Sequence, residues 1–564
     1  MPTIELYIED LEKLVGAKLP RESEKLDEIL SFIKGEVKTL EIDKLTIELK
    51  DGNRPDLLGA EGIARALKGI LGIEEGIKKY RISGDSGVMV NVDSKLHNIR
   101  PYIACAVVKG MTLNDKIIKA LMHLQDKLDL GTGRGRRKTS IGVYDFDLVK
   151  PPLRYTVSEP NKISFVPLGS DESMTLGEIV EKHPKGLEYG YIVKKSKLWP
   201  ILLDSRDKVL SFPPIINSND LGRITENTRN ILIEVTGTAH QVVSDVLRNV
   251  TLALTDRGGK IYSTKILYPF KGIEQDITPD LRNSEAQIEV SLINRVLGLD
   301  LKKEQIVENL RKARYGIKKT KGNIIKVEIP CYRTDIMHPI DVVEDIAIMY
   351  GFNNISPKWP SLATSGGISP KEISSNLVRE LMIGLGYQEV LTFTMTNKEK
   401  LFFKMHMKPT KVLEIANPKT SSYTCLRNWL IPGLMEFLSY NTSVAYPQKI
   451  FEVGYCIMID KSSETKTRDQ RKIACVTCHA TAGFTEIKEV ATALGINFGE
   501  KISVKEGAHP SFIAGRFGRI LINDKDIGIL GEIHPSVLEE WKLENPVAAL
   551  EIDLDKFLQK AEQR

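Results

Sequence analysis

The chain has 564 residues, of which 42% are hydrophobic and 27% are charged. This composition excludes a disordered or fibrous chain, and at ~150 residues per domain the length predicts about four domains. The 79 basic and 74 acidic residues leave a net charge of +5, too small for a polycationic coat, so any contact with nucleic acid must be local.

The sequence also predicts where the protein works. Apolar runs stay below the ~18–20 residues that span a bilayer, and the acid-rich start of the chain lacks the basic and apolar regions of a signal peptide. The 6 cysteines are too few for a disulfide framework at this length. We therefore expect a cytoplasmic protein without membrane contact.

The N-terminal region, 1–87, alternates short apolar strands with helices. A turn cluster at 52–57 interrupts this alternation, and 58–67 is predicted to be helical because its apolar residues share one face. These features predict a small α+β module.

The second region, 88–275, begins with a β-rich run at 102–108 and a helix at 113–128. It contains a glycine-rich basic loop with Arg134, Arg136, Arg137 and Lys138. Such a loop is able to neutralise phosphates. A solvated surface loop explains the same residues equally well.

A polar row lies later in the second region. If 231–238 is a strand, its alternation places Glu234, Thr236 and Thr238 on one face. Together with the preceding segment 211–218, this row is suited to lining a pocket. A strand with one solvated face is the more ordinary explanation from residue chemistry alone.

The third region, 276–360, predicts helices at 284–297 and 303–311, a strand at 325–329 and a final helix from Pro339 to Tyr350, which Gly351 ends. The spacing of the apolar residues in the final helix predicts a core-facing stripe. This stripe consists of Ile340, Val343, Ala347 and Tyr350.

Four acids accompany the final helix. Asp341, Glu344 and Asp345 share another face, and Asp335 lies just before the helix. Crowded carboxylates indicate a hard cation such as Mg²⁺. Acids in a first helical turn are also stabilised by the helix macrodipole, without a metal, so both explanations stay open.

The fourth region, 361–564, mixes helices and strands and contains Cys475, Cys478 and His479 at the spacing of a c-type haem attachment site. That chemistry belongs to exported proteins, and 473–480 is predicted to be a buried strand whose cysteines act as small hydrophobic residues. One such pair also supplies too few ligands for zinc. We expect neither haem nor zinc.

Several motifs recur in one order along the whole chain. They are NRPDLL at 53–58, SIGVYDFD at 140–147, FPPIINS at 212–218, YRTD at 332–335, LIPGL at 430–434, FEVG at 451–454 and GEIHP at 531–535. In this order they resemble the β subunits of phenylalanine–tRNA ligases of the archaeal and eukaryotic cytoplasmic type.

The resemblance implies an α+β multidomain fold. Its parts are an N-terminal α+β module (1–87), an editing domain (88–275), a helical module with an acidic metal-binding helix (276–360) and a class II aminoacyl-tRNA synthetase-like antiparallel sheet domain (361–564). The last is expected to be catalytically silent. FEVG resembles the second class II motif, but no GxGxxxR motif follows it, so that a clamp on the ATP phosphates is incomplete.

The resemblance also implies a function within an α₂β₂ heterotetramer. The α subunit attaches phenylalanine to tRNA(Phe) with ATP, and the β subunit hydrolyses mischarged tyrosyl-tRNA, because apolar pockets discriminate against one extra hydroxyl by only about 10². In the editing pocket, Glu234 is the expected acceptor of the phenolic hydroxyl, Ser211 and Thr236 position the ester or water, and Leu202 lines the wall.

Asp335, Asp341, Glu344 and Asp345 match the family's magnesium site, which is shared with the α subunit. The chain departs from the family at Tyr144, where many relatives have a histidine whose role cannot be transferred. Two alternatives remain, a stand-alone aminoacyl-tRNA deacylase and a non-enzymatic tRNA-binding scaffold.

Overall fold

The chain folds into two units, Met1–Trp359 and Pro360–Arg564, in a computed structural model that describes residues 1–362 and 364–558. Each unit is built around its own antiparallel or mixed sheets. Within the described residues, no helix has both the length and the apolar character needed to cross a membrane.

The first unit begins with a three-stranded antiparallel sheet of order β1-β3-β2. Its helices cover one face of this sheet, where alternating residues of β3 are buried. The elements are β1 (Thr3–Tyr7), α1 (Ile8–Val15), α2 (Ser23–Ser31), β2 (Gly35–Leu40), β3 (Lys44–Leu49), a 3₁₀ turn (Pro55–Leu57) and α3 (Ala60–Ile70). The predicted helix at 58–67 is confirmed as α3, with a later start.

A ten-stranded sheet follows, of order β12-β11-β10-β7-β4-β14-β5-β13-β6 with β15 paired to β14. The elements of this region are β4 (Ile82–Val92), β5 (Tyr102–Lys109), α4 (Asp115–Leu130), β6 (Thr139–Asp145), β7 (Leu153–Ser158), β8 (Ser164–Phe165), β9 (Met174–Thr175), α5 (Leu176–Lys182), α6 (Pro184–Tyr189), β10 (Trp199–Leu203), β11 (Val209–Phe212), β12 (Ile216–Asn217), β13 (Asn230–Gly237), α7 (His240–Asp256), β14 (Lys260–Phe270) and β15 (Ile273–Thr278), with 3₁₀ turns at Ser94–Leu96, Phe146–Leu148 and Gly190–Ile192. Strands β8 and β9 pair with each other in a separate two-stranded sheet. The predicted strand at 102–108, the helix at 113–128 and the strand at 231–238 are confirmed as β5, α4 and β13.

The first unit ends with a second three-stranded antiparallel sheet, of order β16-β18-β17. Its elements are β16 (Ser284–Glu289), α8 (Val290–Leu297), α9 (Lys303–Lys312), β17 (Gly316–Lys321), β18 (Ile324–Ile329), α10 (Pro339–Tyr350) and a 3₁₀ turn (Phe352–Asn354). Helix α10 has the predicted bounds, because Pro339 occupies its first turn and Gly351, with φ of +88°, ends it.

One prediction for this region is wrong, and another is right only in part. The segment 284–289 is a strand rather than the start of a helix, because it pairs with β18 and buries Ile288. In α10 the predicted Val343, Ala347 and Tyr350 are buried or packed against the core, but Ile340 is 41% exposed, and Val342 and Ile346 also reach the core. The stripe is rotated because Val342 and Ile346 face the hydrophobic cluster of β16, β18 and α9.

The second unit is a seven-stranded sheet of order β19-β22-β23-β27-β26-β25-β24, antiparallel except for the short pairing of β19 with β22. The elements are α11 (Pro370–Gly384), β19 (Gln388–Glu389), β20 (Met395–Thr396), a π-helical turn (Glu399–Phe403), β21 (Cys425–Leu426), α12 (Ile431–Tyr440), β22 (Gln448–Ile459), β23 (Thr467–Cys478), α13 (Phe484–Asn497), β24 (Ile502–Glu506), β25 (Phe512–Ile522), β26 (Lys525–Ile533), α14 (Pro535–Glu540), β27 (Val547–Asp553) and α15 (Leu554–Phe557).

The alternation of side chains along β23 explains why Cys475 and Cys478 are buried on opposite faces of the sheet. Cys475 packs into the cluster on one face of the sheet, with α11 and α13, and Cys478 packs into the cluster on the other face, with α12. Both thiols are free and buried, and their three-residue separation directs them to opposite faces. The expectation that they act as small hydrophobic residues is confirmed.

Gly62 provides a test of the packing in the N-terminal sheet region. A Cβ atom at Gly62 would lie 1.5 Å from the carbonyl oxygen of Asp56, so Gly62→Ala should destabilise the first unit by about 1–3 kcal/mol or more, through overpacking. Gly52→Ala is the matched control, since nothing lies within 4 Å of its Cβ position. Denaturant unfolding checks this, and equal stability of the two variants would contradict the contact between α3 and the turn.

Candidate functional site

A cavity of about 450 Å³ opens beside the ten-stranded sheet. Its apolar walls come from β6 and from the segment after β11. Polar side chains from α4, α6 and β12 surround its mouth, and Glu234 of β13 closes it. The lining includes Gln125, Asp129, Ile141, Val143, His183, Lys185, Phe212, Pro213, Ile215 and Asn217.

Strand β13 lies between β5 and β6, so both of its edges are paired. Ile231, Ile233 and Val235 face the cluster that contains α7. The opposite face carries Glu234 and Thr236, which are 2% and 0% exposed. The explanation of this polar row as a solvated strand face is therefore wrong, and Thr238 lies beyond the end of the strand.

The Glu234 carboxylate is held by hydroxyl groups from neighbouring strands. The Tyr144 hydroxyl donates to Glu234 Oε2 at 2.6 Å, and the Ser211 hydroxyl makes a longer contact of 3.5 Å with the same oxygen. Burial raises the pKa of Glu234 to about 7, against the opposing effects of the Tyr144 hydrogen bond and the Arg100 charge. The carboxyl group therefore titrates near neutral pH.

Thr236 lies behind the cavity rather than on its wall. Arg100, only 2% exposed, donates to the Thr236 hydroxyl at 2.9 Å and to the Thr236 carbonyl at 2.8 Å. Arg100 also donates to the Ser140 hydroxyl at 3.1 Å. This buried cation partly balances the Glu234 charge across the strand.

The structure thus brings together some of the residues expected in one pocket. Glu234 and Ser211 line the cavity. Leu202 pairs with Ser211 across β10 and β11 and is buried in the cluster that contains Tyr144. Thr236 contacts the site through Arg100 and Ser140.

Arg100, Gly142 and the hydroxyl group of Tyr144 also contribute to the site and were not predicted from the sequence. A glycine inside a strand indicates a close approach by another group, and Gly142 in β6 carried that signal. No comparable signal in the sequence marked Arg100, because its hydrogen-bond partners are distant in sequence.

The basic loop turns one arginine inward. Arg136 forms an ion pair with Asp129 at 3.0 Å, lies over the Tyr189 ring and donates to the Ile215 carbonyl. Arg134 and Arg137 are exposed. The loop therefore supports the cavity rim through Arg136 and leaves two arginines facing solvent.

Two of the four acids around α10 are neutralised within the chain. Arg333 donates to both oxygens of Asp335, at 2.8 and 2.7 Å, and pairs with Asp345 at 2.8 Å. Although burial opposes it, Arg333 holds the pKa of Asp335 below its ordinary value. Tyr315 donates to Asp345 at 2.5 Å.

The other two acids have different surroundings. Asp341 accepts the backbone N–H groups of Met337 and His338, as the third residue of a capping box. Glu344 is 52% exposed and pairs with Lys34. Within 1–362 and 364–558, no group of three potential ligand residues is arranged to hold a metal ion.

In the second unit, the FEVG strand carries a buried ion pair. Arg427 lies 2.8 Å from Glu452, and the Thr392 hydroxyl donates to the same carboxylate at 2.6 Å. A Cβ atom at Gly454 would lie 2.6 Å from the Arg427 guanidinium. Glycine is therefore required beside this pair.

Two family models match the chain, and both describe parts of aminoacyl-tRNA synthetases. Residues 286–352 match "tRNA synthetase B5 domain", and residues 355–554 match "Phenylalanyl tRNA synthetase beta chain CLM domain". The protein is accordingly a component of an aminoacyl-tRNA synthetase.

Full-length relatives define the family. The phenylalanine–tRNA ligase β subunit of Pyrococcus furiosus is 44% identical over 558 residues, covering 98% of this chain and 99% of that protein. The one from Methanothrix thermoacetophila is 40% identical and covers 98% of this chain and 100% of its own. The chain belongs to the family of phenylalanine–tRNA ligase β subunits.

A solved structure is also similar. The crystal structure of an N-terminal fragment of the phenylalanyl-tRNA synthetase β subunit from Pyrococcus horikoshii has 40% sequence identity and a TM-score of 0.59. It covers 62% of this chain and 100% of the fragment. The mixed α/β multidomain fold agrees with the family.

The pKa of Glu234 predicts a pH-dependent cost to stability. Because the folded-state pKa is raised from 4.5 to about 7, the carboxyl destabilises the fold increasingly as the pH rises through this window, and the full cost applies above pH ~7. Glu234→Gln should therefore gain on the order of 3 kcal/mol relative to wild type between pH 4.5 and 8.

Thermal unfolding at both pH values measures this difference. Glu172→Gln, at an exposed acid of the same domain, is the control. An equal effect of Glu234→Gln at both pH values would contradict a buried, neutral carboxyl group at low pH.

Proposed function

We propose that this β subunit supports ATP-dependent attachment of phenylalanine to tRNA(Phe) in a cytoplasmic α₂β₂ complex and hydrolyses mischarged tyrosyl-tRNA in the cavity beside β13. One observation carries the hydrolytic part: the buried carboxylate of Glu234 lines a cavity beside the apolar side chains of Phe212, Pro213 and Ile215. This combination selects a flat side chain with a hydrogen-bond donor at its tip.

The chemistry of the cavity supports a tyrosyl group as ligand. Phe212, Pro213 and Ile215 provide apolar contacts for an aromatic ring, and the Glu234 carboxylate is able to accept the phenolic hydroxyl. A phenylalanyl group would occupy the same walls but leave the buried carboxylate without its partner, which costs far more than a lost apolar contact.

We propose water as the nucleophile. Ser211 and Asn217 line the cavity near the carboxylate, but the Ser211 hydroxyl is directed at Glu234, and its contacts there lack a histidine partner that would activate it. Polar groups of the rim and the ribose hydroxyl of the tRNA then position the ester and the attacking water.

The test uses the complex reconstituted with an α subunit. Glu234→Ala should lower the rate of tyrosyl-tRNA hydrolysis by about 10–100-fold, the value of one hydrogen bond to a buried charge, and should leave aminoacylation unchanged. Deacylation of preformed tyrosyl-tRNA and phenylalanyl-tRNA provides the measurement.

Glu172→Ala is the matched control, at an exposed acid of the same domain. Unchanged hydrolysis of both esters by Glu234→Ala would remove Glu234 from the site. Absence of hydrolysis by the wild-type complex would contradict the hydrolytic function as a whole.

We further propose the four-part division into 1–87, 88–275, 276–360 and 361–564, with a catalytically silent class II-like domain at the end. The three larger sheets of the first unit, one in each of the first three regions, and the seven-stranded sheet of the second unit support this division. The silent role is supported by Arg427, which is engaged by Glu452 and is therefore not available as a free phosphate ligand.

Magnesium remains a proposal for the assembled complex. Asp335 and Asp345 are neutralised by Arg333, which leaves Asp341 and Glu344 as the candidates from this chain. Their metal site would need further ligands from the α subunit, as the family resemblance implies.

Two substitutions separate this proposal from a structural role. Glu344→Ala should weaken Mg²⁺-dependent assembly without loss of stability, whereas Asp341→Ala should also destabilise α10 by about 1 kcal/mol through loss of its capping box. Titration of assembly against Mg²⁺ measures the first effect, with Glu308→Ala, an exposed acid of α9, as control. If neither substitution affects assembly, the two acids have only a structural role.

A further inference from the structure

Tyr144 reaches Glu234 through a gap in the side-chain layer. Strands β6 and β13 are antiparallel neighbours, and Glu234 is directly opposite Gly142. Tyr144, two residues further along β6, points to the same face as Gly142. Its ring therefore extends diagonally across the glycine, and its hydroxyl donates to the carboxylate at 2.6 Å.

Gly142 is necessary for this hydrogen bond. A Cβ atom at position 142 would lie 2.2 Å from the Tyr144 hydroxyl oxygen and 2.4 Å from Glu234 Oε2. Both distances are far below contact distance, and both groups are buried, so neither is free to move into solvent. The hydrogen bond from Tyr144 to Glu234 therefore requires a glycine at position 142.

The hydrogen bond also distinguishes the two carboxylate oxygens. The hydroxyl groups of Tyr144 and Ser211 both approach Oε2. Oε1 accepts from neither of these two hydroxyl groups, and Glu234 lines the cavity. With Oε2 held in place, the carboxylate has one orientation in which to meet a ligand.

We propose that Tyr144 is a positioning residue that sets the specificity of the cavity, by holding Glu234 as an oriented, ionised acceptor for the phenolic hydroxyl of the ligand. The phenolic ligand rests on the proposed function above. The effect of Tyr144 on the carboxyl group of Glu234 does not depend on the proposed function.

The groups that face Glu234 do not themselves titrate near pH 7, although burial also raises the pKa of Asp129, on the lining of the same cavity, to about 7. It is faced by Tyr144 from β6, Cys105 from β5, Tyr155 from β7 and Arg100 from the segment before β5. Burial raises the pKa of Cys105, Tyr144 and Tyr155, so these three stay neutral near pH 7, and Arg100 is the cation. Loss of the Tyr144 donor then raises the pKa of Glu234 further.

The experiment measures the Glu234 titration directly in the full chain. Difference infrared spectra between each protein and its Glu234→Gln derivative isolate the carboxylate band as the pH is varied. Tyr144→Phe should raise the midpoint by about one unit or more, as expected for loss of a hydrogen bond to a charged group. Tyr268→Phe is the control, because this buried tyrosine of the same cluster donates to the Ile103 carbonyl instead.

A second variant keeps Tyr144 but removes its contact. In Gly142→Ala the added methyl group occupies the place of the hydroxyl, so the midpoint should rise as it does in Tyr144→Phe. Binding of L-tyrosinamide and L-phenylalaninamide near pH 7 provides the specificity readout. The preference for the tyrosine ligand should fall about fivefold or more in both variants, because a smaller fraction of Glu234 is ionised, and should recover as the pH is raised.

Unchanged midpoints in both variants, or equal shifts in Tyr144→Phe and Tyr268→Phe, would overturn the role of Tyr144. A wild-type complex that does not hydrolyse tyrosyl-tRNA would contradict the proposed function, while the infrared titration would still decide whether Tyr144 controls Glu234.

Discussion

Burial of the Glu234 carboxylate on β13, the strand beside the edge strand β6 of the ten-stranded sheet, is the constraint on which the candidate site depends. A charge removed from water must be compensated by hydrogen bonds or by an opposite charge. Tyr144, Ser211 and Arg100 supply that compensation from three different segments. Because the compensation is partial, the carboxyl group keeps a pKa of about 7 and retains affinity for one more donor.

Elsewhere in the first unit, buried carboxylates are paired directly with arginine side chains. Arg54 binds Asp56, and Arg333 binds Asp335, each through two hydrogen bonds to a residue two positions away. These self-neutralised pairs lie near each other, with Arg54 3.9 Å from Asp335. These ion pairs join the NRPD and YRTD segments of the first unit.

Much of the architecture was predictable from local patterns. The proline at the start of α10 and the glycine at its end set both of its bounds, and alternating apolar residues indicated β5 and β13. The strand 284–289 was not predictable, because its pairing partner β18 lies 35–45 residues away. For the same reason the core stripe of α10 was rotated, since the position of the helix against β16 and α9 decides which side is buried.

The sequence by itself determined the family, through motifs whose order is maintained along the whole chain, and it indicated Glu234 and Ser211 as members of one site. Only the tertiary structure decided how these residues work. Register between β6 and β13 places Gly142 opposite Glu234 and thereby lets Tyr144 reach the carboxylate, and Arg100 reaches Thr236 across 136 residues of chain. Side-chain contacts of this kind depend on which strands become neighbours, and hydrogen-bond partners far apart in sequence leave no periodic signal within either segment.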